Sequence, residues 1–167
     1  LAKEGAAFIA AIGSNNAYED ARQLVKKGGA KMLLIDIANG NLREPVLVAK
    51  AIQEDFKVPV MVGNIATRKP AEGYKKHGIK YARIGIGPGA VCTTRRKTGI
   101  GVPQFSAILD TTIDGLFTTA DGGIKYPGDV AKAFAAGASA VMIGSMFSGT
   151  RETPGEPVHI DGKWYKR

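Results

Sequence analysis

The hydrophobic positions gather into six short apolar runs separated by amphipathic stretches. The runs are "FIAAIG" (8–13), "KMLLIDIANG" (31–40), "VPVMVGNIA" (58–66), "KYARIGIG" (80–87), "GLFTTADGG" (115–123) and "SAVMIGS" (139–145). Short apolar runs bounded by Gly, Asn or Asp read as strands. Between them, 17–29 places Ala21, Leu24, Val25 and Gly28 at helical spacing, with Ser14 the expected N-cap. The stretch 43–56 is a second helix with Pro45 in its first turn, where a missing N–H costs little. Further helices are predicted over 68–78, weakened by Gly73, over 103–112 and over 127–137. The tail from 150 is polar, holds two prolines and reads as an excursion.

Strands alternating with helices predict an α/β fold with a parallel sheet. Continuous apolar runs fit strands covered on both faces. Two architectures satisfy this pattern, a doubly wound open sheet and part of a (β/α)8 barrel. Asp36, Asn64, the 85–92 loop, Asp121 and Gly144 each stand at the C-terminal end of a different run. A doubly wound sheet concentrates such residues at one switch point, whereas a barrel distributes them around one rim. The expectation is therefore a (β/α)8 TIM barrel, incomplete in this chain because six strands are visible, with 1–167 as one partial catalytic domain and no regulatory tandem domain.

Composition narrows the partners. The net charge is +8, but the cations are dispersed as Lys26–Lys27, Lys75–Lys76 and Arg95–Arg96–Lys97, and aromatics are only 7%. Cations that do not interleave with aromatics make a poor nucleic-acid platform. They leave a solvated surface or the attraction of a small anion. One cysteine rules out an intramolecular disulfide and a cysteine-rich zinc site, and it predicts a reducing, cytoplasmic setting. No apolar run reaches membrane-spanning length. His77 and His159 stand in no ligand-like spacing and read as surface residues.

That cysteine, Cys92, lies in "RIGIGPGAVCTTRRKTGIG" (83–101). Gly85, Gly87 and Gly89 admit backbone angles closed to other residues, and such a loop can turn carbonyls or amides toward an ion or ligand. Neighbouring cations favour thiolate, the reactive form, and Thr94 offers a hydroxyl partner. These features point to a nucleophilic cysteine; the plain alternative is a glycine-rich connector with an incidental thiol. "ADGG" (120–123) and "IGS" (143–145) end the last two runs. Loops there often bind phosphate through backbone amides, and Asp121 can accept hydrogen bonds from ribose hydroxyls. Together they suggest a nucleotide; otherwise they are two ordinary turns. Asp36 and Asn64 either serve a second ligand or cap the helices that follow them.

"VGNIAT", "RIGIGPGAVCTTRRKTGIGVPQFSAI", "ADGGIKYPGDVAKAFAAGASAVMIGSMFSGT" and "PGE" together resemble the IMP dehydrogenase / GMP reductase family. "TTRRKTGIG" and "DIANG" look more like GMP reductase, whereas "DGGIKY" and "TPGE" are shared with the dehydrogenases. The resemblance implies that Cys92 attacks carbon 2 of a purine nucleoside monophosphate. In a GMP reductase, ammonia leaves GMP to give a thioimidate that NADPH reduces to IMP; in an IMP dehydrogenase, hydride passes to NAD and water releases XMP. A nucleotide-binding protein lacking catalysis is a third reading. The resemblance further implies Thr94 as proton relay, Asp121 on the ribose, and Gly122, Gly123, Gly144 and Ser145 on the phosphate. Asp36, Asn64, Arg83 and Gly85 match positions on the dinucleotide side, and carbonyls of Gly87, Gly89 and Cys92 match a potassium site. A homotetramer, two strands before Leu1 and a mobile flap after Arg167 are expected on the same ground. Ala90 departs from the family's usual serine two residues before the nucleophile.

Overall fold

A computed structural model describes residues 5–166. All six apolar runs form strands: β1 (Ile9–Ile12), β2 (Met32–Asp36), β3 (Val60–Ile65), β4 (Tyr81–Ile84), β5 (Phe117–Asp121) and β6 (Ala140–Met142). They make one parallel sheet in the sequential order β1-β2-β3-β4-β5-β6. Sequential order with right-handed crossovers keeps the connecting helices on one face, whereas a doubly wound sheet reverses order and uses both. The result is an α/β fold with a curled half-barrel of six parallel strands, an incomplete TIM barrel.

The helices are α1 (Ala17–Lys26), α2 (Arg43–Phe56), α3 (Arg68–Lys76), α4 (Thr94–Thr98), α5 (Gln104–Thr111) and α6 (Pro127–Ala135). The main core lies between them and the convex face of the sheet. Leu33 and Ile35 of β2, Val60 and Val62 of β3, and Ala82 and Ile84 of β4 are fully buried there against Ala21, Ala49, Ile52, Ala71 and Ile108 of the helices. Burying a side chain of the size of Ile or Val is worth about 1.5–3 kcal/mol, so this one face supplies much of the cohesion. Tyr74 of α3 reaches through the layer and donates to the Gly40 carbonyl at 2.7 Å, tying down the loop after β2. No helix among the described residues is long and apolar enough to cross a membrane.

The alternate strand positions form the concave face. Leu34 and Met61 are buried at its centre, and Tyr81 stacks on Phe117 with ring centroids 5.6 Å apart. At the margins Ile9 and Phe117 are 49% and 56% exposed. The expectation of strands covered on both faces therefore holds only for the middle of the sheet, because the helices crowd one side. A short helix and a hairpin were not expected. Residues 94–98 of the predicted loop wind into α4, and the tail forms an antiparallel hairpin of β7 (Pro157–Ile160) and β8 (Lys163–Lys166). Ser14 does not cap α1; Asn16 occupies that position, without a side-chain cap bond.

Candidate functional site

The C-terminal ends of β2 to β5 converge on one arginine. Arg83 points to the concave face from β4 and is only 8% exposed. Its guanidinium Nη2 donates to Asp36 and its Nε to the Asn64 side-chain oxygen, and Nε stands 3.5 Å from Asp121 Oδ2. Asn64 continues the chain, its Nδ2 donating to the Gly85 carbonyl at 2.7 Å and to Asp121 Oδ2 at 3.0 Å. A register shift between Gly63 and Ile65 sets Asn64 out of step with its neighbours and turns it to the rim. Irregularities of this kind re-aim single side chains beside functional sites.

Asp36, Asn64 and Arg83 thus form one cluster, and the helix-capping reading of Asp36 and Asn64 fails. The N-cap positions of α2 and α3 are Leu42 and Thr67. The buried guanidinium holds both side chains in place, because a buried charge is tolerable only when paired and hydrogen-bonded. Arg83 is therefore walled in by protein partners.

Two clefts flank this cluster. One, about 650 Å³, opens at Asp36 and is bordered by Ser14, Asn15, Asn39 and Glu44. The other, about 450 Å³, is lined by Asp121, Gly122, Gly123, Gly144 and Ser145 on one side and by Pro88, Gly89, Ala90 and Val91 on the other. Every residue of the expected phosphate and ribose set borders this second cleft. Ser145 begins a short 3-10 turn to Phe147, and Gly122 and Gly123 both take positive φ, 81° and 78°.

Cys92 stands on the loop that walls the second cleft. It is partly buried, and its Sγ lies 3.4 Å from Thr94 Oγ1. The thiol is held below its ordinary pKa, first by the Thr94 hydroxyl and then by the Thr94 N–H. Partial burial opposes this, while the Gly87 N–H and the charge of Arg95 assist. Arg95 is the cation that matters among the three. Its side chain lies against Gly87 and Gly101, where a Cβ would approach to 2.7 Å and 2.5 Å, and its Nη2 donates to the Val102 carbonyl at 3.0 Å. Gly85 and Gly87 require positive φ, 138° and 87°, whereas Gly89 does not. The Gly89 carbonyl accepts the Cys92 N–H at 3.0 Å.

His77 hydrogen-bonds Gly73 at the end of α3, and His159 packs on Trp164 in the hairpin. No cluster of three or more His, Cys, Asp or Glu suited to a metal occurs among the described residues. Sequence reasoning passed over two residues that the site uses, Arg95 as an individual support of the thiol loop and Gln104 of α5. The signal for Gln104 was a polar residue opening the helix next to the rim, directly after Pro103.

Comparison with known proteins bears on the family and the fold. A family model, the IMP dehydrogenase / GMP reductase domain, matches residues 2–167. Inosine-5'-monophosphate dehydrogenase of Thermoplasma acidophilum is 43% identical over 146 residues, which cover 85% of this chain and 30% of that protein. The enzyme of the same name from Haemophilus influenzae is 41% identical over 162 residues, 94% of this chain and 33% of that one. A solved structure of a cysteine-to-alanine variant of GMP reductase from Trypanosoma brucei superposes with a TM-score of 0.87 at 38% identity, over 94% of this chain and 36% of that one. The chain spans about a third of the length of the curated relatives it matches.

Proposed function

The chain belongs to the IMP dehydrogenase / GMP reductase family, and on that premise we propose that it is part of the catalytic barrel of a purine nucleotide oxidoreductase that reductively deaminates GMP to IMP. The observation that carries this reading is a pKa-lowered thiol, paired with a hydroxyl, one residue beyond the 88–91 segment that walls a cleft lined on its other side by Asp121–Gly123 and Gly144–Ser145. Backbone amides of glycine turns suit a phosphate, and a thiolate suits attack on an electrophilic ring carbon.

In this reading Cys92 forms a C–S bond to carbon 2 of the purine, and the exocyclic nitrogen departs as ammonia, taking a proton. The Thr94 hydroxyl, 3.4 Å from the sulfur, stabilises the thiolate, and the proton the thiol gives up is the one that leaves with ammonia. The nicotinamide dinucleotide, when bound, supplies the two electrons as hydride to carbon 2, and C–S cleavage then returns the thiolate. The cleft at Asp36 fits such a dinucleotide in its donor set, since carboxylates, amides and a hydroxyl suit ribose hydroxyls. Arg83 holds Asp36 in place there, and Asn64 in turn holds Arg83. A potassium ion would be held by the carbonyls of Gly87, Gly89 and Cys92. Of these three carbonyls, that of Gly89 also accepts the Cys92 N–H, which leaves its second lone pair for an ion.

The rival reading, IMP oxidation with NAD, is favoured by the names of the curated relatives. The test is to follow nicotinamide absorbance with GMP plus NADPH and, separately, with IMP plus NAD. Oxidation of IMP without reduction of GMP would overturn the first choice. Labelling of Cys92 by 6-chloropurine ribotide separates either enzyme from a non-catalytic nucleotide binder, which would leave the thiol unmodified.

A further inference from the structure

Gln104 opens α5, one residue after Pro103, and its amide lies beneath the rim. Nε2 donates to the carbonyl of Ile84 at 2.9 Å and to that of Asp121 at 3.2 Å. These are the last residues of β4 and β5, where the ladder between the two strands runs out after the pair Ile84↔Ala120. Two carbonyls at one end of an amide fix its orientation, because only the NH2 end carries donors. Oε1 is buried and without a hydrogen-bond partner, the one side-chain polar atom in that condition among the described residues.

The same side chain supports both glycine turns of the rim. A Cβ at Gly85 would lie 2.9 Å from Gln104 Oε1, and one at Gly123 would lie 3.2 Å from Gln104 Cβ. Gly122 in turn abuts the thiol loop, since a Cβ there would stand 3.0 Å from the Gly89 nitrogen. The glycines have no side chains to hold these turns, so the amide between them sets their spacing.

We propose that Gln104 is a positioning residue: its NH2, bridging the Ile84 and Asp121 carbonyls, fixes the thiol loop relative to the Asp121–Gly123 turn and so aims Cys92 at a purine nucleotide held there. The inference rests on the functional reading above. What matters is the pair of donors, and two substitutions of similar size separate donors from bulk. Gln104→Met keeps volume and has no donor at any pH. Gln104→Glu has no donor when ionised and sets a charge against two carbonyls; when protonated it regains one O–H donor. Burial and the carbonyl dipoles both favour the protonated acid, so this exchange falls above the ordinary carboxylate range.

The experiment compares labelling of Cys92 by 6-chloropurine ribotide with labelling by iodoacetamide, in the whole chain, from about pH 5 to about pH 8. The ratio of the two rates cancels the thiolate fraction and reports aim. Gln104→Met is expected to lower the ratio roughly tenfold or more at every pH, a size typical of a small misplacement of reacting groups. Gln104→Glu is expected to match it at high pH and to climb toward wild type as pH falls, a contrast made within one folded protein. A wild-type ratio in Gln104→Met, or a Gln104→Glu profile parallel to that of Gln104→Met, overturns the inference alone. A wild-type thiol that shows no preference for the ribotide overturns the functional reading and this inference with it.

Discussion

Arg83 reaches Asp36 by passing directly over Gly63. The two residues are register partners on β4 and β3, and a Cβ at 63 would come within 2.6 Å of Arg83 Cβ and 2.7 Å of its carbonyl oxygen. Gly63 is thus the gap in β3 through which a charge on β4 meets a carboxylate on β2. Gly63→Ala forces backbone or side chain aside, and overpacking of this kind costs about 1–3 kcal/mol. The expected outcome is a lower urea midpoint at unchanged slope. A midpoint equal to wild type would show that β3 can shift freely, and the proposed gap would be incidental.

Removing the guanidinium tests the cluster itself. Arg83→Met leaves the Asp36 and Asp121 carboxylates and the Asn64 oxygen facing one another without their common donor. Breaking a fully buried pair costs about 3–5 kcal/mol; because the Asp36 side chain is 47% exposed, the loss is expected nearer ~2 kcal/mol. Adding Asp36→Asn to Arg83→Met should recover part of it. The check is a double-mutant cycle in urea, and strict additivity of the two substitutions refutes the coupling.

The thiol's acidity has a more local origin. Since the Thr94 hydroxyl is the foremost cause of the lowered Cys92 pKa, Thr94→Val moves that pKa upward. A lowered pKa means more thiolate near neutrality, so the variant reacts more slowly with iodoacetamide there and converges on wild type only at alkaline pH. The measurement is the pH dependence of the alkylation rate. A midpoint that stays put while the plateau falls would assign Thr94 a steric role instead.

The limits of sequence reasoning follow the same geometry. The strands were legible because apolar runs ending in Gly, Asn or Asp are dictated by burial, and the barrel was legible because five rim residues sit at five strand ends. Capping of helices by Asp36 and Asn64 was an equally sound local reading. It failed because their true partner, Arg83, lies 47 and 19 residues away and is reached only through the space above Gly63. Gln104 escaped for a similar reason: helical spacing gives the face of α5 but not an amide reaching two carbonyls on other strands. Residues 94–98 look like a loop because the basic run has no apolar stripe, yet Thr98 Oγ1 closes the turn on the Thr94 carbonyl at 2.8 Å. The motif resemblance supplied roles that neither periodicity nor burial could.

Ala90 offers the cleanest test of the cleft. It lies on the wall opposite Gly144 and Ser145, exposed, where the family's usual serine would present a hydroxyl. Ala90→Ser adds one donor toward any phosphate held between the two walls, and a hydrogen bond to a charged group is worth about 1.5–3 kcal/mol, or roughly tenfold or more in affinity. The expected outcome in calorimetry is tighter binding of GMP and IMP with unchanged binding of the corresponding nucleosides, which lack the phosphate. If the nucleosides gain equally, the hydroxyl acts on the base or ribose and the phosphate does not lie between these walls. If neither gains, the 88–91 segment does not face the bound nucleotide, and the assignment of the second cleft falls with it.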